Sequence, residues 1–210
     1  MELQPNRLSW PVRAALGCVL VLLALLAMRQ VASLDAGFHL QVGNSILAGE
    51  GWPDNDRFTF TVTDHAYIDT SWGYQVVLSV IERHLGAPGM VLFHVGLVLA
   101  TFVLVIRTAR LVAGDETILV PLVFLGVVAS EMRYEVRPEL MSYFFLALVL
   151  YLLHRQVEVR ATPLWLLPLI FLVWANCHSL FILGWCALVC FTAGLWLRDR
   201  RLDRRLLGWV

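Results

Sequence analysis

Residues 12–40, VRAALGCVLVLLALLAMRQVASLDAGFHL, decide how the rest of the chain reads. The run from Val12 to Met28 is apolar except for Arg13, and Arg29 and Gln30 close it. Roughly 17–25 such residues cross the hydrocarbon of a bilayer, so a transmembrane helix is predicted over about 12–30. Asp35 follows almost at once, which pins a carboxylate to the water edge of the membrane. That is where a base acting on a lipid-carried substrate would stand. Val31-Ala32-Ser33 would serve as a signal-peptide cleavage site, but Arg29 and Gln30 interrupt that region, and an uncleaved anchor is the expectation.

The remaining sequence continues in the same way. The 210 residues are 59% hydrophobic and 15% charged, with a mean hydropathy of +0.72. That is more apolar surface than a soluble core of this size can hide. The expected fold class is an all-α polytopic membrane protein, read as one transmembrane domain over 1–210. Six transmembrane helices are predicted, near 12–30, 88–106, 115–131, 138–154, 162–176 and 179–197. The third and fifth are short, so tilt, neighbouring spans or polar ends lining a cavity must complete them.

All 16 basic residues are arginine. With the N-terminus in the cytoplasm, Arg7, Arg13, Arg107, Arg110, Arg155, Arg160, Arg198, Arg200, Arg201, Arg204 and Arg205 fall inside. Only Arg29, Arg57, Arg83, Arg133 and Arg137 then fall outside, as the positive-inside rule requires, and both termini are cytoplasmic. Most acids, among them Asp35, Asp54, Asp56, Asp64, Asp69, Glu131, Glu135 and Glu139, face outward. No basic patch suggests a nucleic-acid partner. Cys18, Cys177, Cys186 and Cys190 have the spacing of neither a disulfide framework nor a zinc site.

The large first outer loop, about 33–86, carries two amphipathic patterns. Over 36–47, Phe38, Val42 and Ile46 alternate at helical spacing with His39, Gln41, Asn44 and Ser45, so a helix lying on the bilayer surface is expected. Gly49, Gly51 and Pro53 end it, and the β-prone stretch 58–62 leads to a turn at Asp64-His65. A second interfacial helix over 71–85 is expected to set Trp72, Val76, Val80 and Ile81 toward lipid. Gln75, Ser79, Glu82 and Arg83 would face water.

Four groups have the residue types for chemistry. Asp35 and His39, four apart, share a helix face where a carboxylate can orient an imidazole; Asp35 is equally the natural N-cap. His65 and Asp69 repeat the spacing. A divalent metal on Asp35, His39, His65 and Asp69 has acceptable ligand types but no dense signature, so no metal or other cofactor is assigned. Glu131, Arg133, Glu135, Arg137 and Glu139 crowd one outer turn, where an arginine fork could clamp a phosphate or simply pair with acids. Asn176-Cys177-His178-Ser179 ends the fifth span and could rim a headgroup site or cap the helix. His94, deep in the second span, reads as a satisfied interhelical histidine.

One ordered series runs through the chain: Asp35-x-x-Phe38-His39-Leu40-x-x-Gly43, Pro53-x-x-Asp56-x-Phe58-Thr59-Phe60-Thr61, Trp72, Arg137-Pro138-Glu139-Leu140 and Trp174-Ala175-Asn176-x-His178. It resembles the N-terminal half of bacterial multi-span proteins of the GT-C glycosyltransferase superfamily, relatives of protein O-mannosyltransferases and lipid A aminoarabinose transferases. The resemblance implies a longer architecture and a bacterial inner-membrane location. It also implies transfer of a sugar from a polyprenyl-phosphate donor to an acceptor hydroxyl at the outer face, with Asp35 as catalytic base. Better characterised members often have two adjacent acids there, whereas here Ala36 follows Asp35. His39, Asp69, Arg133, Arg137, Glu139, Asn176 and His178 are the implied donor or acceptor contacts. The implied partners are the lipid-linked donor and membrane lipids. The other reading is a non-catalytic lipid-binding or assembly subunit with a partner subunit, or a truncated inactive paralogue. An ion-coupled transporter is disfavoured, since the expected spans hold no buried charge apart from His94.

Overall fold

A computed structural model of the chain describes residues 8–31, 33, 35–52, 55, 66, 68–112, 116–159 and 162–199. The β-prone stretch 58–62, the turn at Asp64-His65, and Asp54 and Asp56 lie outside the described residues. The described regular structure is helical: α1 (Trp10–Ala27), α2 (Ala36–Leu47), α3 (Trp72–Val112), α4 (Leu119–Ala129), the 3-10 turn η1 (Glu131–Arg133), α5 (Glu139–Val159), α6 (Leu166–Cys177) and α7 (Phe181–Asp199). Asn55 and Ala66 meet in an isolated antiparallel bridge.

Helices α1, α3, α5 and α7 are long and apolar enough to cross a membrane. Helices α4 and α6, with 11 and 12 residues, are apolar but shorter. At 1.5 Å per residue each reaches about 16–18 Å, roughly half the hydrocarbon thickness.

Helix α3 contains the fold's sharpest bend. Gly86 sits at φ 62°, a left-handed conformation that glycine adopts without steric cost, and Pro88 follows. The expected interfacial helix and the expected second span are thus two arms of one element, 72–85 and 87–112. Two apolar cores surround it. The first arm packs with α5, α6 and α7 around Tyr74, Leu78, Val149, Leu153, Leu167 and Trp174. The second packs with α1 and α4 around Leu23, Val95, Val98, Val123 and Val127.

Chain ends alternate between the two poles of the bundle. At one pole Arg29, just past α1, forms an ion pair with Glu131 of η1, and α2, α5 and the C-terminus of α6 meet there. At the other, the Ser9 amide donates to Glu116 Oε2 at 3.2 Å, tying the start of α1 to the start of α4.

The interfacial helices have the expected bounds but not the expected faces. His39, assigned to the water side of α2, is buried with Ala36, Val42 and Gly43. Gln75 and Ser79, assigned to the water side of the second helix, have no exposed surface, whereas Val77 and Val80 are exposed. The reason is a helix crossing. A Cβ on Gly43 would come within 2.3 Å of Gln75 O and Ser79 Oγ, so α2 lies directly on α3 backbone to backbone. The polar residues turned into that contact satisfy one another: Gln75 Nε2 lies 3.2 Å from His39 Nδ1, and Ser79 donates to Leu40 O at 3.1 Å.

Candidate functional site

The first pole holds a polar cluster formed by α2, the first arm of α3, and the facing ends of α5 and α6. His39 is its buried member. The Gln75 amide donates to His39 Nδ1, leaving the ring proton on Nε2, and Phe38 and Tyr74 flank the imidazole at 4.5 and 5.6 Å between ring centroids. Burial pushes the His39 pKa below its ordinary value. The nearby carboxylates of Asp35 and Asp69 partly oppose that, and His178 adds to it. The same interactions bring Asp35, Asp69 and His178, from three separate parts of the sequence, near His39.

His178 forms the other side of the cluster. Trp174, a donor only, gives its indole N–H to Ser142 Oγ at 2.8 Å. Ser142 Oγ is 2.9 Å from His178 Nδ1, and the Leu180 amide also points at that nitrogen, at 3.4 Å. Two donors on Nδ1 place the proton of neutral His178 on Nε2. Burial lowers the His178 pKa, and the Glu139 carboxylate partly opposes it. The end of α6 is held against α3 by Trp72, whose Nε1–H donates to Asn176 Oδ1 at 2.8 Å. Gly73 makes room for this contact, since a Cβ there would lie 2.8 Å from Asn176 O.

Asp69 Oδ1 accepts the Ser71 amide at 2.7 Å, a turn that leads into α3. Asp35 occupies the N-cap position of α2, but its side chain makes no capping hydrogen bond. That corrects the capping expectation for Asp35, an exposed residue at the edge of the cluster. Two buried acceptors in the site region have no partner among the described residues: Gln75 Oε1 and Asp69 Oδ2.

Of the residues singled out in the sequence, Asp35, His39, Asp69, Glu139, Asn176 and His178 gather here. Arg137 lies 3.1 Å through Nε from Glu135 Oε2, so its charge is already matched. Arg133 stands apart, lining a recess between α3, α4 and α5. His65 lies outside the described residues, and among the described ones no three His, Cys, Asp or Glu side chains form a metal-ligand set. Gln75 was read only as a water-facing residue and Trp174 only as part of the ordered series, and Ser142 was not singled out. The spacing of Gln75 and Ser79, four apart and opposite a glycine, was the available signal for the first. His94 is satisfied as expected, but by Met90 O and Tyr74 of its own element rather than by another helix.

Comparison with protein-family models, with curated proteins and with solved structures gives no match to this chain.

Proposed function

We propose that the chain is the six-pass membrane module of a glycosyltransferase. It moves a sugar from a polyprenyl-phosphate donor to an acceptor hydroxyl at the outer face of a bacterial inner membrane, with both termini cytoplasmic. The observation that carries this reading is the polar cluster around His39 and His178. Its carboxylates and orphaned acceptors, Asp35, Asp69, Glu139 and Gln75 Oε1, suit a ligand rich in hydroxyl donors, and two neutral imidazoles each have an Nε2–H to give in return.

Asp35 takes the proton of the acceptor hydroxyl as that oxygen attacks the anomeric carbon. The bond from that carbon to the lipid phosphate breaks in the same displacement, so configuration inverts. Arg137, released from Glu135 or shared with it, receives the departing phosphate charge. His39 and His178 donate to sugar oxygens. Asp35 is free to act as a base because its side chain has no capping duty.

The test is Asp35→Asn, which removes the charge and keeps the shape. Transfer from a radiolabelled polyprenyl-phosphate sugar pool, measured in membranes carrying the full gene product, should fall by roughly 10² or more, the scale of a lost general base. Full transfer by a folded Asp35→Asn protein would remove Asp35 from the mechanism.

A further inference from the structure

The recess that holds Arg133 is a cavity of about 250 Å³ on an adjacent face of α5, about 100° round the helix from the side chains that turn toward His178. Its walls are Val98, Thr101, Phe102 and Val105 of α3 with Leu140 and Tyr143 of α5, and Ser130, Arg133 and Tyr134 stand at its head. Val98 to Val105 extends about 10 Å along the helix, so the recess is a slot rather than a bowl. Three of the hydroxyls around it are committed to backbone carbonyls, that of Ser130 to Gly126 O. Thr101 donates to Leu97 O at 2.8 Å, and Tyr134 donates to Val127 O at 2.8 Å. What remains is an apolar channel with one cation at its mouth.

That cation is uncommitted. Of the arginines around the outer turn, Arg29 pairs with Glu131 and Arg137 with Glu135. Arg133 is exposed and makes no ion pair among the described residues. Met132 beside it is 74% exposed, an apolar side chain where the turn meets lipid.

We propose that this slot binds an anionic glycerophospholipid, with one acyl chain along Val98 to Val105 and the phosphodiester on the Arg133 guanidinium. A phosphodiester carries one negative charge and meets one free arginine; a phosphomonoester, with a charge nearer two, would sit among the acids of η1 without a second free cation. The position favours a bilayer lipid over the lipid-linked sugar. Glu139 and Ser142 turn toward His178, while Leu140 and Tyr143, about 100° further round the same helix, line the slot. A lipid seated here has its headgroup on a different face of α5 from the side chains that meet His178, and it bridges α3, the end of α4 and α5.

The experiment places the full-length protein in nanodiscs of phosphatidylcholine with phosphatidylglycerol as the minority lipid, then counts retained lipids by native mass spectrometry after detergent extraction. Wild type should keep phosphatidylglycerol in preference to phosphatidylcholine. Arg133→Gln should lower that retention by about tenfold, the scale of one charge-assisted hydrogen bond. Arg83→Gln, an outer arginine bonded to Asn44, should not change it. Val98→Phe, which fills the slot and leaves the cation, should also release the lipid. Equal retention of the two lipids, or retention unchanged in Arg133→Gln, overturns the proposal. So does one-for-one displacement by a polyprenyl-phosphate lipid, which would make the slot the donor's seat. No transfer reaction enters the readout, so its failure and that of the glycosyltransferase reading are separable.

Discussion

Tyr74 gives its hydroxyl proton to Nε2 of His94, 2.9 Å away, although 20 residues of one helical element separate them. The direction is set because His94 Nδ1 faces Met90 O at 2.6 Å and must carry the ring proton. In a straight helix the two residues would stand about 30 Å apart. The bond exists only because Gly86 folds the two arms of α3 onto each other. Tyr74→Phe keeps the ring and strands a buried acceptor, a loss of about 1–3 kcal/mol. Thermal unfolding in detergent should show a lowered midpoint, and an unchanged midpoint would mean the bend is held by packing alone.

A glycine pair within α2 separates helix propensity from packing. Gly37 has open space around it, so Gly37→Ala should stabilise by up to about 1 kcal/mol. Gly43→Ala makes the same local gain but drives a methyl into Gln75 O and Ser79 Oγ, where overpacking costs about 1–3 kcal/mol. The second substitution should therefore destabilise while the first stabilises, and thermal midpoints of the same sign for both would remove the tight crossing.

Acid should loosen the polar cluster. Burial lowers the pKa of both His39 and His178 below their unfolded value of 6.5, so in the window beneath 6.5 the unfolded chain binds more protons than the folded one. Stability from the two neutral imidazoles is complete above 6.5 and lost as pH falls through the folded values. The unfolding midpoint should drop on acidification, and a double His39→Gln, His178→Asn variant should flatten that slope. An equal slope in the variant would assign the acid sensitivity to other groups.

Much of the architecture was legible in the sequence. Each of the six expected segments coincides with a helix to within a few residues, because glycine, proline and charge clusters bound long apolar runs. Both helices of the first loop were also placed, α2 by its periodicity and the glycines after it and the first arm of α3 by its amphipathic pattern. Their buried faces were not legible. A periodicity argument treats every polar side chain as water-facing, whereas His39, Gln75 and Ser79 face inward because they bond to one another and to Leu40 O. Ser142 was hidden for the same reason, a single hydroxyl in an apolar helix whose partners, Trp174 and His178, lie more than thirty residues away.

The sidedness that the arginine distribution predicts is open to direct measurement. Glu50 is exposed just after α2 and belongs to the loop assigned outside. A single cysteine at position 50, in a background with Cys18, Cys177, Cys186 and Cys190 replaced, should react with a membrane-impermeant maleimide in intact cells. Labelling only after the membrane is opened would invert the topology and place the polar cluster on the cytoplasmic side.

The bend at Gly86 has a mechanical consequence. One arm of α3 carries Trp72 and Gln75 to the polar cluster, and the middle of the other carries Val98, Thr101 and Phe102 to the slot, so one bent element contributes to both. A ligand that tilts the second arm shifts Gln75 against His39, and a ligand held at His39 resists that tilt by the same free energy. Any coupling between the two sites needs no chain of intervening side chains, because both are built on α3.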